Sequence, residues 1–224
     1  MATKLAEGIW NIDLPGTNAY VVEDGEETTL VDTGFPRQAD RLADALRVAA
    51  GGAERIDRIL ITHYDLDHVG GLSRIDGLDA PVYAGRPDAD YVAGTAKPTL
   101  RTRKGLFQRL MNWRVGPPRG DVSTVADGDA VGGFTCYHTP GHTSGHMVYI
   151  HEEHSLALLG DLVHAENGDF EPAPWFMSDD SGAIERSIRD LAERAPDFDI
   201  GAPGHGRPVV GEGAQRLRQC AAEL

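Results

Sequence analysis

Residues 56–71, IDRILITHYDLDHVGG, constrain this chain more than any other stretch. The apolar run from Ile56 to Ile61 reads as a buried strand, and directly behind it two histidines and two aspartates crowd into positions 63–68. A fold that accommodates this must end a strand against a loop rich in ligand-type side chains. Gly70 and Gly71 supply the backbone freedom for a sharp turn there.

The rest of the chain is organised in the same way. GIWNIDL, NAYVVE and TTLVDTG are strand-like runs separated by the turn formers Pro15-Gly16 and Asp24-Gly25, which predicts an antiparallel meander. Pro36 opens a helix expected over 36–50, with Leu42, Ala45, Leu46 and Ala49 at helical spacing and Gly51-Gly52 ending it. APVYAG predicts a strand and residues 86–93 a short helix. In the second half TVADGDAV, FTCYHTPG, HMVYIHE and SLALLGD alternate with turns, and helices over about 180–194 and 211–223 flank IGAPGHG. Two clusters of strands, each followed by helices, predict an α/β (α+β) chain built as a four-layer αββα sandwich. At 224 residues a single domain spanning 1–224 is expected.

The formal charge is -14, from 35 acidic and 21 basic residues, and the only lysines are Lys4, Lys97 and Lys104. Such a surface argues against a nucleic-acid partner. It suits a halophilic, acidic proteome, and equally a soluble acidic protein of a high-GC genome. Cys136 and Cys220 stand too far apart for a CxxC pair, and two cysteines make no disulfide framework. The first residues lack the apolar core of a signal peptide, and no run of about 18 apolar residues occurs, so no integral membrane segment and a cytoplasmic location are expected.

Ligand-type side chains follow predicted strands in four places: His63 to His68, His142 in TPGHTSGH, Asp161 in LLGDLVH and His205 in APGHGRP. A lone histidine at a strand end is ordinarily a cap, but recurrence at four strand ends beside glycines points to loops gathered around a metal. Imidazole and carboxylate suit Zn²⁺, Mn²⁺ or Fe²⁺, and the absence of nearby cysteine argues against a structural thiolate zinc site.

The ordered motifs LVDTG, THYDLDH, TPGHTSGH, GDLVH and PGHG resemble those of the metallo-β-lactamase superfamily, and glyoxalase-II-like enzymes in particular. The resemblance implies an αββα metallo-hydrolase with two divalent metal ions, zinc first among them. It implies that His63 and His142 bind the first ion, that Asp67, His68 and His205 bind the second, and that Asp161 bridges them. It gives Asp32 a supporting role behind the ligand loops, and His146 is a further candidate for such support. Asp65 departs from the family pattern, standing where a histidine is usual. It is either a ligand or an acceptor beside a weak first site, and as an extra carboxylate it would favour Mn²⁺ or Fe²⁺.

The expected reaction is attack of a metal-activated water on a small ester, thioester, lactone or amide, with Asp67 as the catalytic residue that positions the water or carries its proton. An iron-dependent, dioxygenase-like redox protein of the same fold is the alternative, as is a metal-binding protein whose catalysis is lost through Asp65. Residues 97–120 carry Lys97, Arg101, Arg103, Lys104, Arg109, Arg114 and Arg119 and no acidic residue. They are expected to form a basic amphipathic helical insertion. It reads as a lid over an anionic small-molecule substrate, with a subunit contact in a homodimer or a membrane-surface contact as competitors. Phe107 and Trp113 in it, and Trp175 in FEPAPWF, are candidates for the substrate pocket.

Overall fold

The protein is described by a computed structural model that covers residues 1–100, 102–111 and 115–224. Strands β1 (Ala2–Ala6), β2 (Ile9–Leu14), β3 (Thr17–Asp24) and β4 (Glu27–Val31) form the antiparallel meander. Helix α1 (Ala39–Ala49), entered through a 3-10 turn at Pro36–Gln38, carries the chain back so that β5 (Arg58–Ile61) lies parallel to β4. After the single turn α2 (Leu66–Val69), strand β6 (Val82–Gly85) adds in parallel. Helices α3 (Asp88–Val92) and α4 (Arg103–Met111) then precede β7 (Val122–Val125), which completes a seven-stranded sheet in sequential order.

The second sheet takes β8 (Ala130–Val131), β9 (Phe134–His138), β10 (Met147–His151) and β11 (Leu156–Gly160) as an antiparallel run. A hairpin, β12 (Val163–Glu166) with β13 (Asp169–Pro172), and helix α5 (Ser181–Arg194) intervene before β14 (Ile200–Pro203) pairs in parallel with β11. Strand β15 (Val209–Val210) and helix α6 (Gly213–Glu223) end the chain.

The period-2 alternation of the strands explains the layering. Leu60 faces the interior shared with Met147, Tyr149, Leu156 and Leu158, whereas its neighbours Ile59 and Ile61 face the opposite way, into the layer of Leu42 and Leu46 on α1. Val148, Ile150, Ala157 and Leu159 in turn pack against Ile184, Ile188 and Leu191 of α5 and Leu217 of α6. Two sheets face to face with helices on both outer sides are the expected αββα sandwich. Each fully buried leucine or isoleucine in these layers contributes about 1.5–3 kcal/mol through burial.

Buried hydroxyls join the sheets near the end where the candidate loops emerge. Tyr149 donates to the Ile61 carbonyl at 2.8 Å, and Tyr20 donates to the Pro203 carbonyl at 2.6 Å. Both carbonyls stand at strand ends directly before candidate ligand loops, so these bonds fix where the loops start.

Strand β1 and the β12–β13 hairpin are additions to the sequence expectation, and α4 accounts for only the middle of the expected 97–120 insertion. Among the described residues no helix is long and apolar enough to cross a membrane.

Candidate metal centre

The candidate loops all leave strands at one end of the sandwich. Thr62 follows β5 and accepts the Met147 N–H through its carbonyl at 2.8 Å, tying the first ligand loop to the second sheet. The His68 carbonyl accepts from Thr33 N at 2.7 Å, which anchors α2 to the segment after β4. Asp161 follows β11 and His205 follows β14, neighbouring strands of one sheet, so their loops are adjacent. Gly204 sits within this crowding: a Cβ there would overlap Asp161 Oδ1 and stand 2.8 Å from His68 Cε1.

For each of the four histidines the partner of Nδ1 settles the tautomer. His68 donates Nδ1–H to Asp32 Oδ2 at 2.7 Å, and His205 donates Nδ1–H to the Gly16 carbonyl at 2.7 Å. The Thr62 hydroxyl donates to Asp32 Oδ2 at 2.7 Å and therefore accepts from His63 Nδ1 at 3.0 Å. Ser178 likewise donates to the Pro174 carbonyl at 3.0 Å and accepts from His142 Nδ1 at 3.3 Å. Every Nε2 is thereby left to face the same space.

Asp161 lies between two groups of donors. His63, His142 and Asp161 form one set, and Asp67, His68 and His205 another, with the ligand atoms of each set within 4.8 Å of one another. Asp161 Oδ2 is 3.1 Å from His205 Nε2 and 3.4 Å from His142 Nε2, while its Oδ1 is 3.5 Å from His68 Nε2. His63 Nε2, His68 Nε2 and Asp161 Oδ1 are buried with no hydrogen-bond partner among the described residues. Orphaned polar atoms of this kind carry a desolvation cost that a cation would relieve. The donor set fits a metal, most plainly around His68, Asp67, Asp161 and His205.

The protonation tendencies follow from burial and charge. Burial pulls the His68 imidazole down, but the carboxylates of Asp161, Asp32 and Asp67 more than reverse this and push it up to about 10. Burial lowers His63 well below the usual histidine range, aided by the charge of His68. Asp161 stays well below the carboxylate range despite burial, because His205, His68 and His142 surround it. Burial raises Asp67, and the negative charges of Asp161 and Asp65 add to the effect.

His146 lies beneath this cluster, its Nε2 accepting the Asp161 backbone N–H at 3.0 Å and its Nδ1 donating to Thr139 Oγ1 at 2.8 Å. Burial pushes its pKa down to about 3, so it acts as a neutral strut. Asp32 holds its position with φ 57, and its Oδ1 also accepts from Thr62 N at 2.9 Å.

Asp65 is placed differently from the other acidic candidates. It stands at the N-cap of α2, where an aspartate ordinarily accepts from the helix backbone, but its side chain makes no capping bond. Its Oδ2 accepts instead from the Lys104 ammonium, and its Oδ1 accepts from Gln108 Nε2 at 3.0 Å. Burial would raise the Asp65 carboxyl, but Lys104, His142 and His63 hold it well below the carboxylate range.

Sequence reasoning assigned none of Lys104, Gln108, Asp88 and His164 to this centre. Lys104 and Gln108 lie four apart on α4 and face the site together, and the one available signal was an isolated lysine in a lysine-poor chain. Asp88 reads as an ordinary first-turn residue, but its Oδ2 accepts from Tyr64 N at 2.8 Å and from Thr143 Oγ1 at 2.7 Å, joining the His63 loop to the His142 loop. His164 lies with its ring 5.0 Å from that of His205 and its Nε2 buried without a partner among the described residues.

Phe107 and Trp175 are exposed, and Trp113 lies outside the described residues. A separate cluster of Asp24, His151 and His154 lies at the far end of β10. There the His154 backbone N–H donates to His151 Nδ1 and His151 Nε2 donates to Asp24 Oδ2 at 3.1 Å, which leaves the His151 ring no free lone pair.

The relative named Probable metallo-hydrolase YybB, of Bacillus subtilis (strain 168), is 28% identical over 177 residues, covering 73% of this chain and 70% of the relative. An atrochrysone carboxyl ACP thioesterase of Aspergillus fumigatus is 28% identical over 215 residues, and this chain, matched over 93% of itself, covers only 56% of that protein. The solved structure of TTHA1623 in a di-iron-bound form is 26% identical, with a TM-score of 0.65 over 96% of this chain and 98% of that one. The model of one family, the metallo-beta-lactamase superfamily, matches residues 12–205, a span that takes in Asp32 and every loop that carries a side chain to this centre. The chain belongs to the metallo-beta-lactamase superfamily.

Proposed function

We propose that the chain is a metal-dependent hydrolase that cleaves a small ester, thioester, lactone or amide with an activated water. The observation that carries this reading is the convergence of the Nε2 atoms of His63, His68, His142 and His205 on Asp161, with each Nδ1 committed to a protein acceptor. Imidazole and carboxylate donors without thiolate suit Zn²⁺, and the share of carboxylates admits Mn²⁺ or Fe²⁺. Asp67, His68, Asp161 and His205 would hold an ion, and His63, Asp65, His142 and Asp161 offer a second place. When bound, a divalent ion lowers the pKa of a coordinated water from 15.7 to about 7 and polarises a carbonyl.

The chain's own residues hold and move the rest. Asp67 Oδ2 lies 3.4 Å from His205 Nε2 and 3.8 Å from His68 Nε2, at the mouth of the centre, where it can orient a water and accept its proton. Asp32 and the Gly16 carbonyl keep the His68 and His205 rings from rotating. A cavity of about 390 Å³ is lined by Tyr64, Tyr91 and Gln108 together with Lys97 and Arg109; Gln108, which bonds Asp65, is its link to the centre, and no candidate donor lines it. The thioesterase name of one relative makes a thioester the first substrate to try.

Elemental analysis of the purified protein, with hydrolysis assays on thioester, lactone, phosphodiester and β-lactam substrates, tests this reading. Substoichiometric metal after metal-replete purification, or no turnover of any acyl substrate, would refute it. The di-iron form of TTHA1623 favours a second reading, an iron-dependent redox protein. Bound iron with oxygen consumption in place of hydrolysis would establish that one.

A further inference from the structure

Lys104 carries a buried ammonium into the centre, and its surroundings are complete. An ammonium has three protons, and each finds an acceptor: Asp65 Oδ2, His142 Nε2 at 2.9 Å and the Met177 carbonyl at 2.8 Å. Only 5% of the residue is exposed, and a lysine is buried to that degree only where opposite charge and full hydrogen bonding compensate it. The ammonium thus lies among the donors of one half of the centre. His142 Nε2 is 3.1 Å from Asp65 Oδ2 and 3.4 Å from Asp161 Oδ2, and His63 Nε2 is 3.4 Å from Asp65 Oδ2. With the His142 proton on Nδ1, facing Ser178 Oγ at 3.3 Å, the Nε2 lone pair is that ring's only acceptor, and engaged by the Lys104 N–H it cannot also ligate an ion.

We propose that the Lys104 ammonium takes the place of a metal ion among His63, Asp65, His142 and Asp161, so that the chain holds one divalent ion, at Asp67, His68, Asp161 and His205, beside a fixed positive charge. Among the carboxylates that face the two places, Asp32 behind His68 left aside, the charges balance on this arrangement. Asp65 and Lys104 neutralise each other, leaving the two carboxylates of Asp67 and Asp161 to match one divalent cation. It also gives the aspartate its reason: an imidazole at position 65 would offer a single acceptor atom, whereas the carboxylate offers two, one for Lys104 and one for Gln108. Gln108 Nε2 donates as well to the Tyr64 carbonyl at 2.8 Å, so α4 is held against the ligand loop at both positions of its inward face. With its three protons committed, the ammonium would act on a substrate oxygen through its charge alone and not as a hydrogen-bond donor.

The inference rests on the reading of this cluster as a metal centre, and a binding measurement separates the two. Metal-free protein is titrated with Zn²⁺ and with Co²⁺ against a chromophoric chelator, with elemental analysis after dialysis. The expected result for the wild type is one ion per chain, with any second ion bound at least 100-fold more weakly. Lys104→Met keeps most of the stem's bulk and removes the charge; it should tighten the second ion by 10-fold or more and shift the d–d spectrum of bound Co²⁺. Two ions bound by the wild type with affinities within 10-fold would overturn the inference while leaving the metal centre intact. No change in second-ion affinity in Lys104→Met would overturn it too, and no bound metal in any form would remove both readings. Should Lys104→Met fail to fold, the wild-type stoichiometry decides alone.

Discussion

His68 donates its Nδ1 proton to Asp32 across 2.7 Å of buried space, and the same Asp32 oxygen accepts the Thr62 hydroxyl that in turn orients His63. One carboxylate therefore aims two imidazoles. Asp32→Asn keeps the volume but cannot accept on both oxygens, and it should weaken metal affinity by about 10–100-fold, as loss of an outer carboxylate typically does. Isothermal titration of the metal-free protein measures this directly; an unchanged affinity would show that ring orientation is set elsewhere.

Metal removal should lower thermal stability, because the ion binds the folded centre and not the unfolded chain. At a free metal concentration 100 times the dissociation constant the linkage contributes about 2.7 kcal/mol. For a chain of this size that corresponds to a fall of about 5–10 °C in Tm. Calorimetry with and without chelator checks it, and equal Tm values would refute metal binding to the native state.

Gly204 admits the close approach of its loop to Asp161 and His68 only because it has no Cβ. Gly204→Ala should displace the Asp161 carboxylate and abolish stoichiometric metal binding with little change in far-ultraviolet circular dichroism. A variant that retains full metal occupancy would show that the loop has room the geometry denies.

Burial, acting against the hydrogen bonds from Tyr64 and Thr143, pushes the Asp88 carboxyl up to about 6. An ordinary unfolded aspartate has a pKa of about 3.9. Between these values the folded state binds more protons, so the contribution of Asp88 to stability is full below the lower value and is lost as pH rises through the upper one. At 1.36 kcal/mol per unit the effect is a few kcal/mol. Asp88→Asn should remove that pH dependence, and denaturant titrations of the metal-free proteins from pH 4 to 7 should show the variant gaining on the wild type as pH rises. A constant difference across that range would refute the assignment.

The strand before the ligand loop and the helix of Leu42, Ala45, Leu46 and Ala49 were legible because local periodicity reports which face is buried. The candidate ligands were legible for a related reason, since histidines and aspartates beside glycines recurred at four predicted strand ends. Strand β1 and the β12–β13 hairpin carry weak local signals and exist through their pairing with neighbours.

The residues by themselves determined the layers and the candidate donor set, because periodicity and ligand chemistry are local properties. They left Asp65 open between ligand and bystander, and no local rule could decide it. Tertiary structure supplied what the sequence lacked by bringing Lys104 and Gln108, some 40 positions further along the chain, against its two oxygens. The same long-range packing put Asp88 between two loops and His146 beneath Asp161. The physical reason is common to all of them: what a buried polar group does depends on which partners the folded chain delivers to it, and sequence spacing does not carry that information.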